Sequence, residues 1–196
     1  MPEFHRIVLA SCSPRRADLL NAAGIKFITA KHNVSEENVI SLKAEKLAEK
    51  LALMKVRSIS DMKEYENELI LGVDTTVVYN GTILDKPADR DEAERNIRRL
   101  SGKTHKVITG LALISKNARV CIVDRSITTV SFQKLNNDFI KYYLDNNHFQ
   151  GYAGGYAIQG IFSLVVKKIN GSYSGIVGLP MEILYKHLYK INFKFC

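Results

Sequence analysis

Asp74 stands in the run "LGVDTTVV", a carboxylate set among apolar and β-branched neighbours. Such a group is expensive to bury unless a cation or a metal ion meets it. A structural aspartate bonds a nearby backbone cap, whereas this one precedes two threonines on a strand, an arrangement that presents a carboxylate for use. Lys55 and Lys86 are candidate cations, although either lysine taken singly reads as plain surface. A second group opens the chain. In "VLASCSPRRADLL", residues 8 to 20, an apolar run meets Ser11, Cys12, Ser13 and Pro14, then Arg15 and Arg16, before apolar residues resume at helical spacing. A helix N-terminus there offers unbonded N–H groups and about half a positive charge. The hydroxyls of Ser11 and Ser13 and the guanidinium forks of Arg15 and Arg16 add donors suited to phosphate. The plainer alternative is that Ser13-Pro14 only caps a helix and the arginines are solvated. Gln159, in "AIQG", is an amide among glycines, able to approach the edge of a base closely. Glu36, in "NVSEEN", reads by itself as part of a polar loop.

Two familiar phosphate loops fail on spacing. "SGKT", residues 101 to 104, ends like a nucleotide-binding glycine loop, but the opening glycine would fall at Ile97. A cysteine phosphatase built on Cys12 would need an arginine where Asp18 stands.

The elements that must position these residues follow from pattern. "RIVLA" is a short buried strand, and Ser13 followed by Pro14 marks an N-cap and first helical position, since proline's missing donor costs nothing there. Residues 42 to 59 place Leu47, Leu51, Met54 and Ile59 near one face of a long amphipathic helix. "ELILGVDTTVVYNGTIL" holds two strands about Asn80-Gly81, a strong hairpin turn. Asp89 caps a helix over "RDEAERNIRRL" that Gly102 ends, and "HKVITGLALIS" and "RVCIVDRSITTVSF" pair about the turn "KNA". A helix near 136 to 145, the glycine-rich "GYAGGYAIQG", a strand over "IFSLVVKKI" and a closing helix over "LPMEILYKHLYK" complete the chain. With no repeat or linker, this order predicts one α/β domain over residues 1–196, a mixed sheet with flanking helices.

Composition narrows the classes. The 28 basic and 20 acidic residues give a net charge of +8, spread along the chain rather than massed in a tail. That spread favours a polyanionic ligand only weakly. Three distant cysteines, Cys12, Cys121 and Cys196, form no CxxC, so neither a disulfide framework nor a zinc site is indicated. The start "MPEFHR" has no signal-peptide core, and no apolar run approaches a membrane span. A soluble protein of the reducing cytoplasm is expected, with no membrane partner.

Five blocks, "ASCSPRRADLL", "GVDTTVVYNGTILDKPADRDEA", "LSGKTHKVITGLAL", "GGYAIQG" and "INGSYSGIVGLPM", resemble in order and spacing the motifs of the Maf family of nucleoside triphosphate pyrophosphatases. The resemblance implies an elongated, two-lobed fold akin to inosine triphosphatase, with a central cleft. It further implies hydrolysis of a nucleoside triphosphate to the monophosphate and pyrophosphate, with a divalent cation, Mg²⁺ or Mn²⁺, as cofactor. Carried over residue by residue, the phosphate loop becomes Ser11, Ser13, Arg15 and Arg16, the acidic loop residue Glu36, and the helix lysine Lys55. Asp74 and Thr75 match the strand motif, Lys86 the Lys-Pro loop, and Gln159 the glycine-flanked glutamine. Glutamine there resembles the branch acting on dTTP and UTP, whereas the 7-methyl-GTP branch carries glutamate. Two positions depart from the pattern: Cys12 replaces a glycine, and Gly151-Tyr152 stand where an Asp-Lys pair is usual.

The implied chemistry is physically coherent. Asp74 and Glu36 bind the metal through oxygen, Asp74 also serves as base for the attacking water, and Lys55, Lys86, Arg15 and Arg16 neutralise phosphates. The enzyme would be a hydrolase of acid anhydrides. The alternatives are a non-catalytic regulator that binds nucleic acid or, as the resemblance also implies, restrains septum formation, and a pyrophosphatase for another nucleotide such as 7-methyl-GTP. Nucleic acid is not expected as a partner, because no surface of stacking aromatics interleaved with Lys or Arg is read in the sequence. A homodimer is left open.

Overall fold

The structure is a computed structural model, described here for residues 3–34 and 43–195. Its strands are β1 (Ile7–Ala10), β2 (Phe27–Thr29), β3 (Leu69–Tyr79), β4 (Thr82–Leu84), β5 (Thr104–Ser115), β6 (Val120–Phe132) and β7 (Val166–Asn170). Its α-helices are α1 (Pro14–Ala22), α2 (Ala44–Ser60), α3 (Arg90–Leu100), α4 (Asn137–Asp145), α5 (Tyr173–Val177) and α6 (Met181–Lys190). The seven strands form one sheet in the order β2-β1-β3-β5-β6-β7, with β4 on β3. It is a mixed sheet: β1 runs parallel to β2 and β3, whereas β4 is antiparallel to β3 and β7 to β6. The expected α/β class holds.

The chain divides into two compact units. One comprises Met1–Asp74, Thr109–Ser126 and Gly178–Cys196, the other Thr75–Ile108 and Ile127–Val177. In the first, strand alternation sorts side chains onto two faces. Ile7, Leu9, Leu69, Leu71, Val73, Leu111 and Leu113 bury one face with Leu20 of α1 and Leu184 and Leu188 of α6. Val8, Ala10, Ile70 and Ala112 bury the other with Ala52, Val56 and Ile59 of α2. Small residues on that second face let α2 approach closely, and at two strand positions even a methyl group is too much. A Cβ on Gly72 would lie 2.3 Å from the Ala52 carbonyl oxygen, and one on Gly110 would lie 2.3 Å from that of Ala48. An ion pair of Glu49 with Arg125 of β6 ties the same helix down. Burial pushes the Glu49 carboxyl up, but bonds from Lys46 and Arg125 outweigh it and hold the group below its ordinary range.

In the second unit, helix starts are set by capping. Asp89 accepts from the Glu92 N–H at 2.7 Å and Asn136 from the Phe139 N–H at 2.7 Å. The β3–β4 turn takes positive φ at Asn80 (48°) and Gly81 (79°), as its sequence predicts. An aromatic core packs Phe162 against Phe132, Phe139, Tyr143 and Tyr156, with centroid separations of 4.8 to 5.7 Å.

Three local expectations change. "IFSLVVKKI" is not one strand: Gly160–Val165 is a 3-10 helix, and the strand begins at Val166. The Ser163 hydroxyl donates to the Gly160 carbonyl at 2.6 Å, a local bond that competes with extension. Strand β2 and helix α5 were not expected from pattern, being three and five residues long. Helix α5 starts where the Ser172 hydroxyl accepts from the Gly175 N–H at 2.9 Å. The surface also differs from the sequence reading. Tyr185, Tyr189 and Phe195 are exposed, with Lys186 and Lys190 alternating among them along the chain.

The close seat of α2 on β3 sets a clear expectation. Gly72→Ala should lower the free energy of unfolding in urea by about 2 kcal/mol, the usual scale of an overpacked core, because backbone rather than a flexible side chain blocks the new methyl.

Candidate active site

The candidate residues of the first unit gather where β1 ends against the middle of the parallel strand β3. Ala10 of β1 is in register with Gly72 of β3, so the Ser11–Ser13 loop leaves β1 at the end where Asp74 stands. Gly72 and Asp74, two apart, share the face covered by α2. Lys55 lies on α2 between Ala52 and Val56, the residues that meet Gly72. Its Nζ donates to Asp74 Oδ1 at 2.5 Å. Both residues are almost withdrawn from water, at 4% and 7% exposure, so the contact between them offsets part of the cost of burying each charge. The sequence left Lys55 ambiguous; the structure makes it a partner of Asp74.

The loop after β1 is organised around Ser11. Its Oγ accepts from the Ser13 N–H at 3.2 Å and from Arg16 Nη1 at 2.7 Å. Arg16 is buried, and its Nε donates to the Gly178 carbonyl at 2.9 Å. Arg16 is therefore not a solvated surface cation, and two of its N–H groups hold the loop in place. Ser13 occupies the N-cap position of α1, with Pro14 following, but its hydroxyl makes no capping bond. Arg15 is half-buried beside it. Cys12 is an exposed free thiol.

The second unit carries Thr75, Lys86 and Gln159. Thr75 follows Asp74 on β3 and is half-buried, on the strand's opposite face. Lys86 is exposed in the loop after β4. That loop is joined to the glycine-rich segment: the Gly154 N–H donates to the Asp85 carbonyl at 3.0 Å. Gly154 and Gly155, both at positive φ, allow this approach, and a Cβ on Gly155 would sit 3.4 Å from the ring of Pro87. Gln159 is exposed, while Tyr156 and Ile158 before it are buried. Glu36 lies outside the described residues.

Sequence reasoning passed over the groups that hold this segment, because buried aromatics read as core. Tyr156 Oη lies 2.7 Å from His105 Nε2. Burial pushes the His105 imidazole down to about 4, so it is neutral at pH 7, and burial pushes the Tyr156 hydroxyl up. Tyr143, also shifted up by burial, accepts from the Ala157 N–H at 3.0 Å. "SGKT" lies between α3 and β5, a helix-to-strand passage rather than the strand-to-helix passage of a nucleotide-binding glycine loop. Among the described residues no group of three or more His, Cys, Asp or Glu is placed to hold a metal by itself, and no helix is long and apolar enough to cross a membrane.

Residues 6–191, all five motif blocks included, match the family described as Maf-like protein. The chain belongs to the Maf-like family. Its Maf-like relatives include proteins named dTTP/UTP pyrophosphatase from Ruminiclostridium cellulolyticum, 41% identical over 97% of this chain and 98% of the relative, and from Thermotoga maritima, 38% identical over 94% and 89%. A protein of the same name from Pyrococcus furiosus is 36% identical over 92% and 93%.

The buried pair of this Maf-like chain predicts a strongly non-additive cycle. Lys55→Met leaves a buried carboxylate without its cation and should cost about 3–5 kcal/mol in urea unfolding at pH 7, whereas Lys55→Met combined with Asp74→Leu should recover a large part of that loss.

Proposed function

We propose that this chain hydrolyses dTTP and UTP to the nucleoside monophosphate and pyrophosphate, by attack of water at the α-phosphate. One observation carries the reading: the buried Lys55–Asp74 pair stands beside the serine–arginine loop at the carboxyl end of β1, level with the middle of the parallel strand β3. Ligands of α/β sheets bind at such ends. The names of the Maf-like relatives, over nearly their whole length, support the same substrates.

The residues divide the work by their chemistry. Asp74 accepts the proton of the attacking water as the new P–O bond forms, and Lys55 fixes the orientation of that carboxylate. As the bond between the α-phosphorus and the bridging oxygen breaks, the electron pair leaves with pyrophosphate, and Arg15 and Lys86 offset its charge. Ser11, Ser13, Thr75 and the α1 N-terminus supply donors to phosphate oxygens. Arg16 acts chiefly by holding Ser11 in place. Gln159 reads the base: its amide donates to a uracil or thymine carbonyl and accepts from the ring N3–H, a pattern that cytosine reverses.

The donor set fits a hard divalent cation. Lys55 Nζ donates to Asp74 Oδ1, Asp74 Oδ2 is the proposed oxygen ligand, and Glu36 is the proposed second carboxylate. Mg²⁺ is typically held by one or two carboxylates together with substrate phosphates, so a sparse protein cage suits it. When bound, Mg²⁺ or Mn²⁺ supplies positive charge to the phosphates and makes a coordinated water more acidic. The cytoplasm, where these nucleotides are made and used, is the proposed setting.

Hydrolysis in ¹⁸O-water with Mg²⁺ should give UMP and pyrophosphate in equal amounts, with the label on UMP. UDP and orthophosphate as first products would sink the reading. Asp74→Asn should lower kcat by at least about 100-fold with an unchanged circular dichroism spectrum; near-normal turnover would remove Asp74 from the chemistry.

A further inference from the structure

We propose that Tyr143 and Tyr156 are positioning residues for base choice: their hydroxyls pin the segment 156–159 from two sides and so fix where Gln159 presents its amide. The inference rests on the reading of Gln159 as the residue that meets the base. Gln159 is exposed and makes no capping bond to the 3-10 helix it precedes. Gly160, at φ 72°, gives it no stiffness from the other side. Its place is set by the residues before it, where Tyr156 takes extended backbone and the side chains of Tyr156 and Ile158 are buried.

Two side-chain bonds hold that stretch. Tyr143, 1% exposed on α4, donates its hydroxyl proton to the His148 carbonyl at 2.8 Å and accepts from the Ala157 N–H at 3.0 Å. Its donor and its acceptor are both used, and the accepted N–H lies two residues from Gln159. Tyr156 packs edge-on against Phe132, with centroids 4.9 Å apart, and its hydroxyl meets His105 Nε2. That second bond is not explained by stability. His105 Nδ1 is buried with no hydrogen-bond partner among the described residues. With His105 neutral, either the Nδ1 proton or the Tyr156 hydroxyl proton goes without an acceptor, whichever way the shared bond runs. Apolar groups of the same shape at both positions would cost little or nothing in stability. What the polar pair adds to an aromatic core is direction, because a hydrogen bond tolerates little error in length or angle.

Base choice is the property most sensitive to such placement. Telling uracil from cytosine requires the amide of Gln159 to meet a donor and an acceptor together, whereas binding of the triphosphate does not depend on this segment's fine position.

The test measures kcat/KM for UTP and CTP on wild type, Tyr143→Phe, Tyr156→Phe and Gln159→Ala, at a temperature where each is folded by circular dichroism. Phenylalanine keeps the ring and removes only the hydroxyl. Each tyrosine variant should lower the UTP-to-CTP ratio about 3- to 10-fold, through loss on UTP with CTP nearly unchanged. Equal losses on both nucleotides, leaving the ratio intact, would mean the tyrosines merely stabilise the fold and would overturn the inference. If Gln159→Ala narrows the ratio and neither tyrosine variant does, the positioning inference alone falls. If Gln159→Ala also leaves the ratio unchanged, the base-reading role falls and takes the inference with it. Should Tyr156→Phe not fold, Tyr143→Phe decides the matter alone, since its bond to Ala157 is independent.

Discussion

The seat of helix α2 on the sheet is the constraint from which the candidate site of the first unit follows. The carbonyl of Ala52 and the side chain of Val56 fill the space that a Cβ of residue 72 would need, and the carbonyl of Ala48 does the same at residue 110. A helix held that low brings a lysine three residues after Ala52 within reach of a carboxylate two residues after Gly72. Lys55 and Asp74 then meet at hydrogen-bond distance in a buried interface. The apolar packing of Val8, Ala10, Ala52, Val56, Ile59, Ile70 and Ala112 supplies the energy that keeps both charges there. The ion pair is a consequence of the packing rather than its cause.

The same logic runs at smaller scale around the loop after β1. Arg16 spends two of its N–H groups on Ser11 and on the carbonyl of Gly178, so the loop after β1 and a backbone carbonyl 162 residues beyond Arg16 share one buried guanidinium. Such a planar fork suits this role better than a lysine would, since two acceptors are met at once. In the second unit, neutral partners take the place of charges. Tyr143, Tyr156 and His105 fix a glycine-rich segment from within an aromatic core, where burial keeps the His105 ring uncharged at neutral pH. Each unit thus fixes its chemistry-bearing residues through buried polar contacts that have no slack.

What was legible in the sequence were features carried by neighbours along the chain. Pro14 after Ser13 marks the start of α1, Asp89 caps α3, and Asn80-Gly81 turns β3 into β4. Asp74 stood out because a carboxylate amid apolar residues demands a reason. Lys55 was a candidate cation, but its pairing with Asp74 was not legible, because the two are 19 residues apart and their meeting depends on the space left by Gly72. The 3-10 turn at Gly160–Val165 hid inside an apolar run because one serine hydroxyl decides it. His105, Tyr143 and Tyr156 hid for the opposite reason: their rings belong to the core, and only their polar tips do anything more. Arg15 and Arg16 look alike in sequence, yet only the three-dimensional path of the chain buries the second against Gly178.

The alternation of β3 gives the Lys55–Asp74 contact another consequence, one that belongs to the folding chain rather than the folded one. Asp74 has Val73 before it and Thr75 after it, neither of them an anion. A strand paired one residue out of step would bring one of these to the α2 face and part the Lys55 ammonium from the Asp74 carboxylate. It would also turn Leu69, Leu71 and Val73 away from the core they fill. Such an arrangement is several kcal/mol less stable than the correct one, and the charge adds a penalty that hydrophobic residues, interchangeable among themselves, do not impose. A single aspartate therefore helps to select the register of its strand, because only the correct alignment sets its carboxylate against Lys55.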